Sequence, residues 1–240
     1  MRVVVTRPAP SAEKTARLLA AMGHDAAMLP LFRAEHLPLL PARWAGSPPG
    51  GFLFTSAEAL RSLSTAGGMP EELKNLPVYA VGKATADKAR TEGFTRVHVA
   101  SGYGADLAEL VAAERDRYDQ PLLYLAGEPR SPALEEGLRQ KGVAFHTLVA
   151  YRMIPLVYRK PDMEGALGNG NCAVLLYSKE ACHRFVSLCE ETGCADRIRE
   201  VEFYCLSPAI AAGLPAEASK RARTASETTE EALLSLLPSR

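Results

Sequence analysis

The stretch Val78-Tyr79-Ala80-Val81-Gly82-Lys83-Ala84-Thr85-Ala86 decides how the rest of the chain is read. Its first four residues are apolar and favour a strand, Gly82 lets the backbone turn, and the run from Ala84 reads as the opening of a helix. A strand, a short turn and a helix N-terminus leave backbone N–H groups unpaired and pointing outward. Such a turn suits an anion, to which Thr85 adds a hydroxyl and Lys83 a charge. The same order returns at Phe203-Tyr204-Cys205-Leu206-Ser207-Pro208-Ala209-Ile210-Ala211.

Outward from that pair, short apolar runs alternate with helical ones. Val3-Val4-Val5, Asp25 to Leu31, Phe52-Leu53-Phe54, Val97-His98-Val99, Leu122 to Ala126, Ala144 to Met153 and Ala173 to Tyr177 read as strands. Helices are expected at Lys14 to Met22 with Ser11 as cap, Ala57 to Leu63, Ala105 to Ala113, Pro132 to Gln140 and Glu180 to Cys189. The last helix is expected over Thr229 to Leu237, with Thr228 as cap and Glu231 three residues on. Continuous rather than alternating apolar strands, separated by helices, predict an α/β fold of parallel sheets covered on both faces.

The units also repeat. Thr55-Ser56-Ala57-Glu58-Ala59 matches Tyr177-Ser178-Lys179-Glu180-Ala181, and Val81 to Ala86 matches Leu206 to Ala211. Thr6-Arg7-Pro8, then a helix, Gly23, a strand and Pro30, is echoed by Gly127 to Arg130, then a helix, Gly142, a strand and Pro155. Pro and Gly crowd two spans, Pro38, Pro41, Gly46, Pro48, Pro49, Gly50 and Gly51, then Pro155, Pro161, Gly165, Gly168 and Gly170. These breaks predict two lobes joined by two chain crossings. Residues 1–36 with 155–240 make the first lobe, 37–154 the second, and the crossings fall near 32–40 and 150–160.

Composition limits the function. The 28 Lys and Arg balance 28 Asp and Glu, which argues against a general nucleic-acid or acidic-membrane binder. At 47% hydrophobic the chain can bury a normal core, and no apolar run approaches membrane-spanning length. The first residues enter a strand pattern without a signal-peptide block. The five Cys form no Cys-x-x-Cys pair and the His are scattered, so reduced thiols in a cytoplasmic protein are expected, and no zinc site. Nothing requires more than a monomer. There is no G-x-x-x-x-G-K-[ST], no G-x-G-x-x-G after the first strand and no G-x-S-x-G elbow.

Ligands of such sheets sit beyond the carboxyl ends of the strands. Those turns carry Arg7, Thr55, Ser56, Gly82, Lys83, Thr85, Gly127, Arg130, Ser178, Lys179 and Ser207. Any one of them is what an ordinary helix cap supplies. Six turns of like character, repeated between matched halves, point to a cleft for a polyanion. Tyr151, just before a crossing, reads equally as an aromatic packed on the linker or as a functional phenol.

Taken in order, Val4-Val5-Thr6-Arg7-Pro8, Phe54-Thr55-Ser56-Ala57, Tyr79 to Ala86, Leu123 to Arg130, Tyr151-Arg152, Ser178, Ser207-Pro208 and Thr228 to Leu233 resemble the uroporphyrinogen-III synthase family over the whole length. The resemblance implies two flavodoxin-like lobes joined by a two-stranded linker. It also implies a reaction: hydroxymethylbilane, a linear tetrapyrrole with eight carboxylates, loses its hydroxyl as water and closes with the last pyrrole inverted, without cofactor or metal. Tyr151 then matches a tyrosine that helps the hydroxyl depart, and Thr85 and Thr228 match hydroxyls near the cleft. It leaves room for a transient contact with the preceding pathway enzyme. Ile210, Met153 and Lys179 depart from the family pattern, the first where a Thr is frequent. Two other readings of the residues are a non-catalytic bilobal sensor of an anionic small molecule and a flavodoxin-like electron carrier.

Overall fold

A computed structural model describes residues 1–9, 11–38 and 48–238. Pro41 and Gly46, with positions 39 and 40 of the first expected crossing, lie outside the described residues. In chain order the elements are β1 (Arg2–Val5), α1 (Ser11–Ala21), β2 (Asp25–Met28), β3 (Phe32–His36), β4 (Phe52–Phe54), α2 (Ala57–Thr65), β5 (Pro77–Ala80), α3 (Lys83–Thr91), β6 (Arg96–Val99) and α4 (Gly104–Ala113). They continue with β7 (Leu122–Glu128), α5 (Ala133–Gln140), β8 (Phe145–Pro155), α6 (Lys160–Leu167), β9 (Cys172–Leu176), α7 (Lys179–Glu191), β10 (Glu202–Cys205), α8 (Pro208–Ala211), α9 (Ala216–Arg221), β11 (Arg223–Thr224) and α10 (Glu230–Leu234).

The chain divides into two compact units, Met1–Arg33 with Ile154–Arg240, and Ala34–Met153. It passes between them within β3 and within β8. These strands are neighbours, and their backbone bonds, Leu37 N–H to Ala150 O and Leu156 N–H to Leu31 O (both 2.9 Å), run as residue numbers rise on one strand and fall on the other. The linker is therefore an antiparallel ribbon.

The first unit holds a sheet in the order β11-β10-β9-β1-β2, all parallel. The second holds β3-β8-β7-β4-β5-β6, parallel from β8 to β6. Starting from β1 in one and β7 in the other, the two sheets have one plan: β1 and β2 answer to β7 and β8, and β9, β10, β11 to β4, β5, β6. This is the flavodoxin-type order, and both faces of each sheet carry a separate apolar cluster. That double burial is why β4, β5 and β9 are buried at every position.

Several local expectations need correction. The second Pro/Gly-crowded span contains α6, because Pro161 stands in the first helical turn, where its missing N–H has no partner to lose. Ser11 lies inside α1 rather than capping it. The cap of α10 is Thr229, whose hydroxyl accepts from Ala232 N–H at 3.2 Å, so Thr228 is one residue outside and exposed. Gly82 has φ −166°, extended backbone open to any residue, and α3 begins at Lys83.

Candidate functional site

In each sheet the strand order reverses between two central neighbours, β4 and β7 in the second unit, β1 and β9 in the first. The crevice beyond their carboxyl ends is where sheets of this type bind ligands.

In the second unit β4 ends at Thr55-Ser56. The Thr55 hydroxyl meets the Tyr124 phenol of β7 at 2.8 Å, joining the two strands across the crevice. Ser56 caps α2, accepting from Glu58 N–H at 3.1 Å. One residue before the end of β7, at Gly127, a bulge in the pairing with β8 skips Ala150 and sets Tyr151 opposite Gly127. A methyl on Gly127 would lie 2.4 Å from Cζ and 2.5 Å from Oη of Tyr151. Glycine is needed here because the phenol rests on its Cα. Tyr151 is 8% exposed. Burial pushes its phenol up and the Glu58 charge adds to that, while a hydrogen bond with Ser56 works the other way. The result is a neutral O–H donor at the crevice.

Arg130 follows β7 and donates from Nη2 to Glu135 Oε1 at 3.1 Å, and the Thr147 hydroxyl donates to the same oxygen at 2.7 Å. Burial raises the Glu135 carboxyl, but these two hydrogen bonds outweigh it and hold the group below its ordinary value. At the next strand end Val81 N–H donates to Phe54 O at 2.9 Å, bringing Gly82 beside Thr55. Gly82 gives α3 no side-chain cap, and the nearest atom to a methyl there would be Gly102 Cα at 3.8 Å. The first turn of α3 is thus bare backbone, with Lys83 exposed and Thr85 buried beneath it.

In the first unit the Thr6 hydroxyl donates to Leu175 O at 2.6 Å, tying β1 to β9. The Arg7 guanidinium stacks over the Tyr177 ring, 4.4 Å from its centroid, and donates to Glu230 Oε1 at 2.7 Å. Thr15 donates to that same oxygen at 2.5 Å, and Lys14 Nζ is 3.6 Å from the other. Burial and the Glu230 charge push the Tyr177 phenol up to about 12. Ser178 caps α7, accepting from Ala181 N–H at 3.1 Å, and Lys179 stands exposed beside it. Leu206 N–H donates to Leu176 O at 3.0 Å, which sets Ser207 next to Ser178.

Thus Thr55, Ser56, Gly127, Arg130 and Tyr151 converge at one crevice, with Gly82 and Lys83 at its flank, and Arg7, Ser178, Lys179 and Ser207 share the other. Arg7 and Arg130 are each tethered to a glutamate whose side chain is only 12% exposed. Their charges are largely compensated, whereas Lys83 and Lys179 face solvent. Of the residues that sequence reasoning passed over, Tyr124, Tyr177 and Glu230 act through partners far away in the chain, and Glu135 through Arg130 and Thr147 nearby. Among the described residues no group of three or more His, Cys, Asp or Glu is placed to hold a metal ion, and no helix is long and apolar enough to cross a membrane.

The family model described as uroporphyrinogen-III synthase HemD matches residues 13–235. The chain belongs to the uroporphyrinogen-III synthase family. Members are lyases of haem biosynthesis, and membership implies hydroxymethylbilane as substrate. Among solved structures the chain is similar to the uroporphyrinogen-III synthetase of Helicobacter pylori 26695, with a TM-score of 0.67, 19% identity and 98% of both chains covered. It is also similar to a mutant uroporphyrinogen III synthase of the extremely thermophilic bacterium Thermus thermophilus, with a TM-score of 0.58, 18% identity, and 98% of this chain and 96% of that one covered. At such identities these likenesses bear on the fold, and the family match carries membership.

Proposed function

We propose that Tyr151 is the acid that releases water from hydroxymethylbilane, and that the strand-end turns hold the carboxylate arms while the ends of the chain join. The observation that carries this is the seat of Tyr151: a neutral phenol resting on Gly127, bonded to Ser56, at the crevice of its sheet. The phenol gives its proton to the departing hydroxyl, and the C–O bond breaks with its electron pair leaving on water. The pyrrole nitrogen supplies electrons and leaves an azafulvene cation. The terminal pyrrole attacks that carbon through the ring position that already bears its methylene bridge. The bridge bond then breaks, its electrons returning to the terminal ring and leaving a second azafulvene cation on the neighbouring ring. The free position of the terminal pyrrole attacks that cation and loses its ring proton, so the last ring is inverted, while the phenolate takes one proton back and the protons balance.

Backbone N–H groups at Gly82 to Thr85, the hydroxyls of Thr55, Ser178, Ser207 and Thr228, and the ammonium groups of Lys83 and Lys179 are the donors for the acetate and propionate arms. Arg7 and Arg130, held by Glu230 and Glu135, offer their remaining N–H groups in fixed directions. Holding both ends of a linear substrate makes closure effectively unimolecular, worth roughly 7–11 kcal/mol in favourable cases. We place the reaction in the cytoplasm, where five buried free thiols stay reduced, with the unstable substrate received in a brief encounter with the enzyme that makes it.

The test is product analysis after incubation with freshly made hydroxymethylbilane. The full chain yields isomer III, and Tyr151→Phe lets the spontaneous isomer I accumulate while melting as wild type does. Unchanged turnover in Tyr151→Phe removes the phenol from the mechanism, and isomer I from the wild-type chain removes the enzyme.

A further inference from the structure

The turn between β6 and α4 is Ser101-Gly102-Tyr103-Gly104, and both of its glycines answer a structural need. Gly102 has φ +120°, backbone that a side chain strains to adopt. A methyl on Gly104 would lie 3.1 Å from Leu134 N in the first turn of α5, and one on Gly137 would lie 2.7 Å from Ala108 Cβ. So α4 and α5 approach this closely because both positions are bare. On its other side the turn meets the end of β5. Ala100 N–H donates to Ala80 O at 2.9 Å, and a methyl on Gly82 would lie 3.8 Å from Gly102 Cα. The Ser101 hydroxyl donates to Asp106 Oδ2 at 2.7 Å and Leu107 N–H to Tyr103 O at 3.1 Å, which fixes the turn on α4.

The turn is thus held between Gly82 at the end of β5 and the start of α5, which follows Arg130 after β7. In the sheet β4 lies between β5 and β7, so the turn spans the end of β4, where Thr55 stands. Tyr103 is therefore on the rim of the crevice that Thr55, Gly127 and Tyr151 share. Its side chain is 61% exposed and makes no hydrogen bond, ion pair or ring contact with any described residue. One exposed apolar side chain is ordinary on a protein surface. This one is the single aromatic ring among the exposed large apolar side chains described. The other two tyrosines of the crevice are buried and committed, Tyr124 to Thr55 and Tyr151 to Ser56.

We propose that Tyr103 is a substrate-binding residue, its ring stacking on a pyrrole of hydroxymethylbilane whose carboxylate arms reach Lys83 and the bare first turn of α3. This rests on the reading of the second unit's crevice as a seat for that substrate. Hydroxyl, amide and ammonium donors hold the acetate and propionate arms, but they leave each pyrrole free to turn about its methylene bridges. A stacked ring removes one such rotation before the chain closes. It also favours a flat ring bearing acids over a flexible polyacid, which the donors alone would not tell apart. The ring face does this, and the phenolic hydroxyl has no part in it.

The experiment measures kcat, KM and the isomer formed from freshly made hydroxymethylbilane, with a thermal melt, for the full chain and for Tyr103→Phe, Tyr103→Leu and Tyr103→Ala. Tyr103→Phe should match wild type. Tyr103→Ala should raise KM about tenfold, the loss of one aromatic stack, with kcat, isomer and melting unchanged. Tyr103→Leu keeps apolar bulk without a flat face and should stay close to the alanine variant. A wild-type KM in Tyr103→Ala, a phenylalanine variant as weak as alanine, or a leucine variant as tight as wild type overturns the proposal. So does a lower melting temperature in Tyr103→Ala, which would mean that the ring packs on the fold. Isomer I from the wild-type chain removes the enzyme and this role with it. Isomer III from the wild-type chain, with KM unmoved in Tyr103→Ala, removes only the role of Tyr103.

Discussion

Replacing Gly127 with alanine puts a methyl 2.4 Å from Cζ and 2.5 Å from Oη of Tyr151, where an ordinary carbon contact is about 3.5–4 Å. The ring cannot simply swing aside, because it is packed in an apolar cluster and its hydroxyl is bonded to Ser56. Overpacking of this kind costs typically 1–3 kcal/mol. Taking about 2 kcal/mol at roughly 3 °C per kcal/mol for a chain of this size gives a fall in Tm of about 6 °C. The phenol moves by about 1 Å, a misplacement that can cost on the order of a hundredfold in rate. Thermal melts and the ratio of isomer III to isomer I read the two effects. A cycle with Tyr151→Leu identifies the cause, since without the ring the alanine has nothing to strike and the penalty should vanish. Wild-type melting and turnover in Gly127→Ala, or an undiminished penalty over Tyr151→Leu, would refute the reasoning.

Three further outcomes are expected. Lys83→Gln and Lys179→Gln should each raise KM with little change in kcat, since both ammonium groups are exposed and the proposal gives them the substrate's carboxylate arms; steady-state kinetics at low salt reads this. Glu135→Gln should destabilise the chain by roughly 1–3 kcal/mol at neutral pH. Because the Glu135 carboxyl is held below its ordinary value, its contribution is present above about pH 4.3 and lost as pH falls through the folded-state value, so melts of the two chains should converge in acid. Finally, burial pushes the thiols of Cys182 up to about 11 and of Cys189 and Cys205 up to about 12. A thiol reagent should label these three slowly in the native chain and fast after denaturation.

The fold was readable where the chain is punctuated. Val3-Val4-Val5, Phe52-Leu53-Phe54 and Ala173 to Leu176 are bounded apolar runs, and each is a fully buried strand or part of one. The match of Thr55-Ser56 to Tyr177-Ser178 marks β4 and β9, which hold equivalent places in their sheets. What stayed hidden had weak or misleading local signals. β3 is Phe-Arg-Ala-Glu-His, polar enough to pass for a connection, and is a strand because β8 pairs with it. β11 is two residues long, held by its pairing with β10. Pro161 disguised α6.

At the site, the hydroxyl and basic turns could be found from their types, but their partners could not. Arg7 meets Glu230 across 223 positions and Thr55 meets Tyr124 across 69. The reason Gly127 is glycine lies in a phenol on the neighbouring strand, brought opposite by a bulge. No spacing rule within one element encodes either fact.

The order of β1 and β9 in the first sheet bears on how the chain is made. β1 is synthesised well before β9, and β2 can join it at once, but its other edge is closed only by Cys172–Leu175. Between those moments the whole of Ala34–Met153 is synthesised and can fold as a continuous piece. The nascent chain therefore carries an open, valine-rich edge until β9 is made, which is a hazard for intermolecular pairing. A holdase bound at β1 would shield it until residue 175 is free of the exit tunnel.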